Sequence, residues 1–424
     1  MKKILITILI LTFSLFTILW LYSKMAKGIP FKIEDESEIK DFINNYFSIR
    51  NSAVFDNNKI NNLLSLYSDS NQKLKNHELE RINFYKNWGH EWEWKLLDMK
   101  SCVYIEDLIY EKEEIRAKVY EWIMIKSKSK KLNLPNNFEE LPEIKELRKI
   151  QKEKKELKEA IEDKIKYIIK GYTEYPEIVD TGIGVIHEMI LKKENGEWRV
   201  YKDSYDEGPD LTRSPDFDVQ SNEIKSNLNN QIIPLSSISY YYDREDGANY
   251  ADQYVYHYTS CSGDQYFPNY YNTCYKNFNP YGGDCANYVS QCLHAGGQPR
   301  IFDDGTYPTG LNPWYYKNNG TCNTTSDDSW NTSWINADSL LHLIINSGRG
   351  EIESYSLLCI GDVAFWDEEP NGTMNHAVFV TVSGSGGNPD LMNSHTNDRY
   401  HCPIYQNSKW TYVWIYGGQQ SINY

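Results

Sequence analysis

No CxxC pair and no HExxH motif occurs in the 424 residues, which excludes the zinc sites built on those spacings. Positive charge is also short. The 44 Lys and Arg stand against 59 Asp and Glu, a net charge of −15. A chain of that sign has no general attraction for nucleic acid phosphates, so nucleic acid is not an expected partner. Cysteine is almost missing from the N-terminal part, where Cys102 stands alone, and the other seven lie between Cys261 and Cys402. Thiol chemistry, if the chain performs any, therefore belongs to its C-terminal part. No cofactor and no metal is expected.

Aromatic residues are abundant instead, with 34 Tyr and 12 Trp. Such rings suit a carbohydrate-contacting surface and an aromatic core equally well. At the N-terminus, Lys2 and Lys3 precede an apolar run of 19 residues from Ile4 to Tyr22. That length is at the short end of a membrane span, and Trp20 and Tyr22 suit its interface. Lys24 occupies the −3 place before Ala26, which makes a poor cleavage site. Residues 1–27 therefore read as a signal anchor in preference to a cleaved signal peptide. The expected location is the cell membrane, single-pass with the body outside, or secreted if the segment is cleaved. An exported chain can form disulfides. Cys261 and Cys274, flanking a loop rich in Ser, Gly, Asn and Tyr, are the expected bridge.

Residues 31–206 read as an α+β accessory domain. Helical patterning covers 39–47 and 57–67, strand patterning covers 91–105 and 108–126, and Glu194-Asn195-Gly196-Glu197 marks a hairpin. Helices followed by an antiparallel sheet resemble cystatin-like folds. A charged helical insert occupies 141–170. Its stripe of Ile144, Leu147, Ile150, Leu157, Ile161, Ile165 and Ile168 fits packing on its own domain better than binding a partner. Residues 207–237 hold Pro209, Pro215 and Pro234 without periodicity and read as a linker. Residues 238–424 form the second domain.

Tyr281-Gly-Gly-Asp-Cys-Ala-Asn-Tyr-Val-Ser-Gln-Cys-Leu-His-Ala-Gly-Gly297 organises that domain. It reads as a glycine turn, an N-cap at Asp284, and a short helix ended by Gly296-Gly297. Cys285 and the residues Tyr288, Val289, Cys292 and Leu293 share one apolar face. Cys285 thus lies on the buried side at the positive end of the helix dipole, where a lowered thiol pKa is expected. A cysteine in such a helix is more often a small core residue. The Gly-Gly-Asp lead-in and the downstream histidines favour a nucleophile here. His376 opens the strand 376–382 and shares parity with Val378, Val380 and Val382, so it is expected to face the same core as the helix. The next strand is expected at 391–397.

This stretch resembles the signature of the bacterial "putative amidase domain" family, whose members are similar to papain-like cysteine hydrolases such as cell-wall endopeptidases and cysteine, histidine-dependent amidohydrolases. The resemblance covers about 241–416 and includes Tyr242-Asp243-Arg244, Trp314-Tyr-Tyr316 and Ser329-Trp330. It implies a papain-like catalytic domain, with a Cys-bearing helix packed on an antiparallel sheet. It further implies the order Cys, His, then a polar residue on the next strand. By that resemblance Cys285 is the nucleophile, His376 the base, and His395 the orienting residue, with Asn397 and Asn393 as alternatives. The Cys285 N–H with Tyr281 or Asn287 would stabilise the oxyanion. The expected activity is an exported cysteine amidase or peptidase acting on a peptide or peptidoglycan-like substrate. The alternative is a catalytically silent binding or scaffold protein at the cell surface. Nothing in the sequence fixes the oligomeric state.

Overall fold

Alternating aromatic and β-branched residues drive most of the strands, and the order of elements then decides how two halves meet. The computed structural model describes residues 33–111, 113–207, 237–256, 270–302, 313–319 and 322–423. The N-terminal half begins with helices α1 (Ile33–Phe55), α2 (Asn57–Ser65) and α3 (Gln72–Lys86). Strands β1 (Lys95–Tyr110) and β2 (Glu114–Lys128) follow. Helices α4 (Pro142–Glu153) and α5 (Lys158–Glu174) come next, and β3 (Ile178–Glu194) and β4 (Glu197–Tyr205) close the half. The expected hairpin turn is present, with Asn195 and Gly196 both at positive φ.

The C-terminal half runs β5 (Ser237–Tyr242), α6 (Arg244–Gln253), α7 (Cys285–Ala295), β6 (Tyr316–Lys317), β7 (Ser329–Trp330), α8 (Thr332–Ile335) and α9 (Ala337–Asn346). It continues through β8 (Gly350–Glu353), β9 (Val363–Trp366), β10 (His376–Val382), β11 (Leu391–Ser394), β12 (Arg399–Pro403), β13 (Trp410–Ile415) and β14 (Gly418–Asn423). The fold is α+β. The stretch 239–254 makes β5 paired to β14 and then α6, started by Asp243 accepting the Glu245 and Asp246 N–H groups.

One ten-stranded antiparallel sheet runs through both halves in the order β1-β2-β3-β12-β11-β10-β9-β13-β8, with β4 paired to β3. The junction is short: Arg399 pairs with Ile183 and Tyr400 with Gly182. Alternation along β10 then serves two cores. Ala377 and Phe379 pack with Ala286, Tyr288, Val289 and Cys292 of α7. Val378 and Val380 pack on the opposite face with Trp366, Met392 and the N-terminal residues Val54, Tyr85, Trp88 and Ile123.

The charged insert does not pack on its own half. Ile144, Leu147, Ile161, Ile165 and Ile168 bury their stripe against Leu357, Cys359 and Trp414 of the C-terminal half. Beneath the stripe, Lys164 Nζ lies 2.6 Å from Asp362 and 2.8 Å from Glu353. Arg244 reaches Asp362 at 2.7 Å and Asp163 at 2.9 Å, and also donates to the Ile415 carbonyl. Burial alone would raise the Asp362 carboxyl, but Arg244 and Lys164 hold it below its ordinary value. Arg244 of the Tyr242-Asp243-Arg244 signature is thus the bolt between the insert and the C-terminal core. The apolar segment 1–27 and most of the 207–237 linker lie outside the described residues. Among the described residues no helix is long and apolar enough to cross a membrane.

Candidate active site

The Gly-Gly turn leads directly into α7. Gly282 and Gly283 have φ of 114° and 134°, a region that L side chains rarely adopt. Asp284 follows, and it does not cap the helix as expected. Its carboxylate accepts the Phe278 N–H at 2.8 Å and the Asn287 side-chain amide at 2.9 Å, and it meets His395 Nδ1 at 2.7 Å. Its backbone N–H donates to Thr396 Oγ1 at 2.5 Å. Thr396 has a φ of 61°, unfavourable for a β-branched residue. Its hydroxyl explains the strain: it accepts from Asp284 and donates to Asn279 at 2.8 Å, tying the end of β11 to the start of α7.

Cys285 is 7% exposed. The backbone amides of Ala377, Ala286 and Cys285 itself lie near its sulfur and favour the thiolate. Burial outweighs these donors and Asp284 adds a like charge, so the thiol is pushed up to about 11. The lowered pKa expected from the helix dipole is therefore overturned. Ala377 follows His376, so the sulfur rests on the strand amide next to the candidate base.

His376 itself stands differently from the expectation. It opens β10 opposite Trp366, and its parity with Val378 and Val380 holds. That face, however, packs against the N-terminal half, while α7 covers the Ala377 face. The ring is half-buried, and no described residue makes a hydrogen bond to it. Burial, with the charge of Arg399 added, holds the imidazole well below its ordinary value. Arg399 is fixed at the seam by the Gly184 and Asp398 carbonyls and by the Glu207 carbonyl of the N-terminal half.

His395, expected to orient His376, spends both ring nitrogens elsewhere. Nδ1 meets Asp284, and Nε2 meets the Tyr254 carbonyl at 2.6 Å. The ring is stacked between Tyr271 and Tyr288, with centroids at 3.7 and 4.0 Å. Asn393 is also occupied: it donates to Asp252 at 2.7 Å and accepts the His401 N–H at 2.8 Å. Asn397 is exposed in a left-handed turn, because β11 ends at Ser394 and not at 397. Asn287 gives its amide to Lys276 and Asp284 and accepts from Trp334, which leaves no donor for an oxyanion. Tyr281 is 61% exposed beside the turn.

The disulfide near the site joins Cys274 to Cys322, not to Cys261, which lies outside the described residues. Cys102 is also disulfide-bonded, while Cys285, Cys292 and Cys359 are free. Among the described residues no group of His, Cys, Asp and Glu is arranged to hold a metal. Thr396 and Arg399 were not anticipated as parts of the site, and no short motif flags either one.

With this geometry in view, comparison with known proteins identifies the C-terminal half. Residues 241–416 match the "putative amidase domain" family. The resemblance drawn from the Gly-Gly-Asp-Cys stretch therefore holds, and this region is amidase-like. The chain is also 32% identical over 164 residues to the uncharacterized protein YhbB of Bacillus subtilis strain 168. That match spans 38% of this chain and 43% of YhbB, so the chain covers less than half of that relative's length. No solved structure matches.

Proposed function

We propose that the chain is a cysteine amidase or peptidase in which Cys285 is the nucleophile and His376 the base. The observation that supports this most is the Cys285 sulfur resting on the Ala377 amide, one residue from His376. We read the C-terminal half as papain-like and the N-terminal half as a cystatin-like accessory body. With the thiol high and the imidazole low, the resting pair is neutral. The sulfur attacks the substrate carbonyl while His376 takes the thiol proton, and the C=O pair moves onto oxygen. Backbone N–H groups at the start of α7, with Tyr281 as a side-chain donor, would steady that oxyanion. Collapse breaks the C–N bond, and His376 returns the proton to the leaving amine. Water, deprotonated by His376, then cleaves the thioester and restores the thiol.

An exported body tethered by residues 1–27 would meet peptidoglycan stem peptides, which are the substrate we propose. The rival reading, a catalytically silent binding protein, draws on one observation: no hydrogen bond joins His376 to Cys285. Bonds of this kind are often loose before substrate arrives. The deciding experiment treats purified cell wall and free stem peptides with the full chain and with Cys285→Ala, and identifies the fragments by mass spectrometry. New amine and carboxylate ends from the wild type alone are expected. No cleavage, or equal release by Cys285→Ala, would leave the binding reading in possession.

A further inference from the structure

We infer that Lys276 is a built subsite for a free carboxylate on the substrate, beside the Cys285 helix. This inference rests on the amidase reading of that site and names part of its specificity. The first observation is where the ammonium sits. Lys276 Nζ lies over the rings of Tyr281 at 4.3 Å, Trp330 at 4.9 Å and Phe278 at 5.7 Å. Ring faces attract a cation and fix its position, but they do not neutralise it. The second observation is the missing counter-charge. Among the described residues Lys276 forms no ion pair, in a chain of net charge −15. Nearby carboxylates are already engaged. Asp284 holds His395, Phe278 and Asn287, and Asp328 accepts from the Tyr316 hydroxyl and the Asn319 N–H.

The third observation is rigidity. The Lys276 N–H donates to the Tyr316 hydroxyl at 2.8 Å, and its carbonyl accepts from Asn287 of α7 at 3.1 Å. The Cys274–Cys322 disulfide pins the chain two residues earlier. The loop is therefore held against the first turn of the helix that carries Cys285. A solvated surface lysine needs none of this support, since it loses side-chain entropy for no gain. A lysine fixed by three rings, with its N–H donors unpaired among the described residues, is prepared for an anion. Exposed Tyr281 forms one wall of the cage and belongs to the turn before Cys285. A ligand carboxylate on Lys276 would thus approach the thiol from the Tyr281 side. An amide-bond substrate supplies such a group at its C-terminus or on an acidic side chain.

The test measures binding, so that it does not depend on turnover. The full chain carrying Cys285→Ala is titrated with N-acetyl-Ala-Glu and with the same peptide amidated at both carboxyls. The free acid is expected to bind about tenfold more tightly or better, as a charge-assisted contact to a fixed ammonium would give. Adding Lys276→Met keeps the aliphatic stem against the rings and should erase that difference, whereas Lys276→Arg should keep part of it. Raising the salt should shrink it. Equal affinities for the two peptides, or a preference that survives Lys276→Met, would overturn the subsite. Cleavage of the same peptides by the wild type is read separately. Its absence would count against the amidase reading and leave the carboxylate result standing.

Discussion

His395 and His376 lie at facing ends of adjacent strands, yet their surroundings are opposite. His395 is 1% exposed, has a partner on each ring nitrogen, and is clamped between two tyrosine rings. His376 is half-buried and has no hydrogen bond to its ring among the described residues. A histidine whose two ring nitrogens both face acceptors within the fold, a carboxylate and a carbonyl, can brace structure, but it turns no nitrogen toward a substrate. One whose nitrogens are unspent keeps that capacity and gives up little stability. The contrast divides the labour of the site. His395, through Asp284, sets where α7 begins and so where Cys285 stands. On the function proposed above, His376 is the group left for chemistry.

The sharpest way to break this division is to delete the two rings in turn. His376→Ala should lower hydrolysis by about 10²- to 10⁴-fold, the usual contribution of a general base. It should leave the melting temperature nearly unchanged, since no described hydrogen bond is lost. Rates on a stem-peptide substrate, together with calorimetry, check both halves of that statement. An unfolded His376→Ala would show that the half-buried ring is structural after all.

His395→Ala should do the reverse in first order. It empties a space between two stacked tyrosines and leaves the buried Asp284 carboxylate short of a partner. About 3 kcal/mol or more of stability should be lost. Hydrolysis should fall because α7 loosens, and His395→Asn should recover part of it by keeping a donor toward Asp284. Denaturant unfolding of the two variants tests this. Full stability in His395→Ala with activity gone would move His395 from brace to catalyst.

Several strands and the Cys285 helix were legible in the sequence, for a local reason. The run 376–382 alternates under a strong β-forming composition, and it is the strand observed. The helix beginning at Cys285 is legible from its apolar face and closing glycines. Parity along β10 also held, but it could not say which layer covers which face. Both faces of β10 are buried, one by α7 and one by the N-terminal half, and alternation of apolar residues reads the same for either. The Cys274–Cys322 bridge spans 48 residues, beyond any local pattern. Asp284 looked like a cap because a carboxylate before a helix usually is one. His395, at a distance of 111 residues, competes for it and wins. The buried charges of Lys164, Arg244 and Asp362 were equally silent, because a lysine on a charged helix gives no sign that it will be buried.

The smallest effect tests the seam. Arg399 carries a positive charge near His376, and with burial it keeps that imidazole below its ordinary value. A base with a lowered pKa is neutral, and so competent, at every pH above that value. The acid limb of kcat/KM should therefore lie below the region near pH 6.5 where an ordinary histidine titrates. The thiol, pushed up to about 11, gives no loss on the alkaline side until that region. The profile should be a broad plateau. Arg399→Gln removes the charge, so the imidazole should rise and the acid limb should move to higher pH, by about one unit. Arg399→Lys keeps the charge and should leave the limb close to its place, even if the loss of the carbonyl contacts lowers the melting temperature. Asp398, raised by burial to about 6, also titrates below pH 6.5 and could set an acid limb of its own, and Asp398→Asn separates the two. A limb that disappears in Asp398→Asn belongs to the aspartate, while one that persists there and moves in Arg399→Gln belongs to His376. A limb near pH 6.5 in the wild type, unmoved by Arg399→Gln, would show that the seam does not tune the base. The N-terminal half would then support the sheet and nothing more.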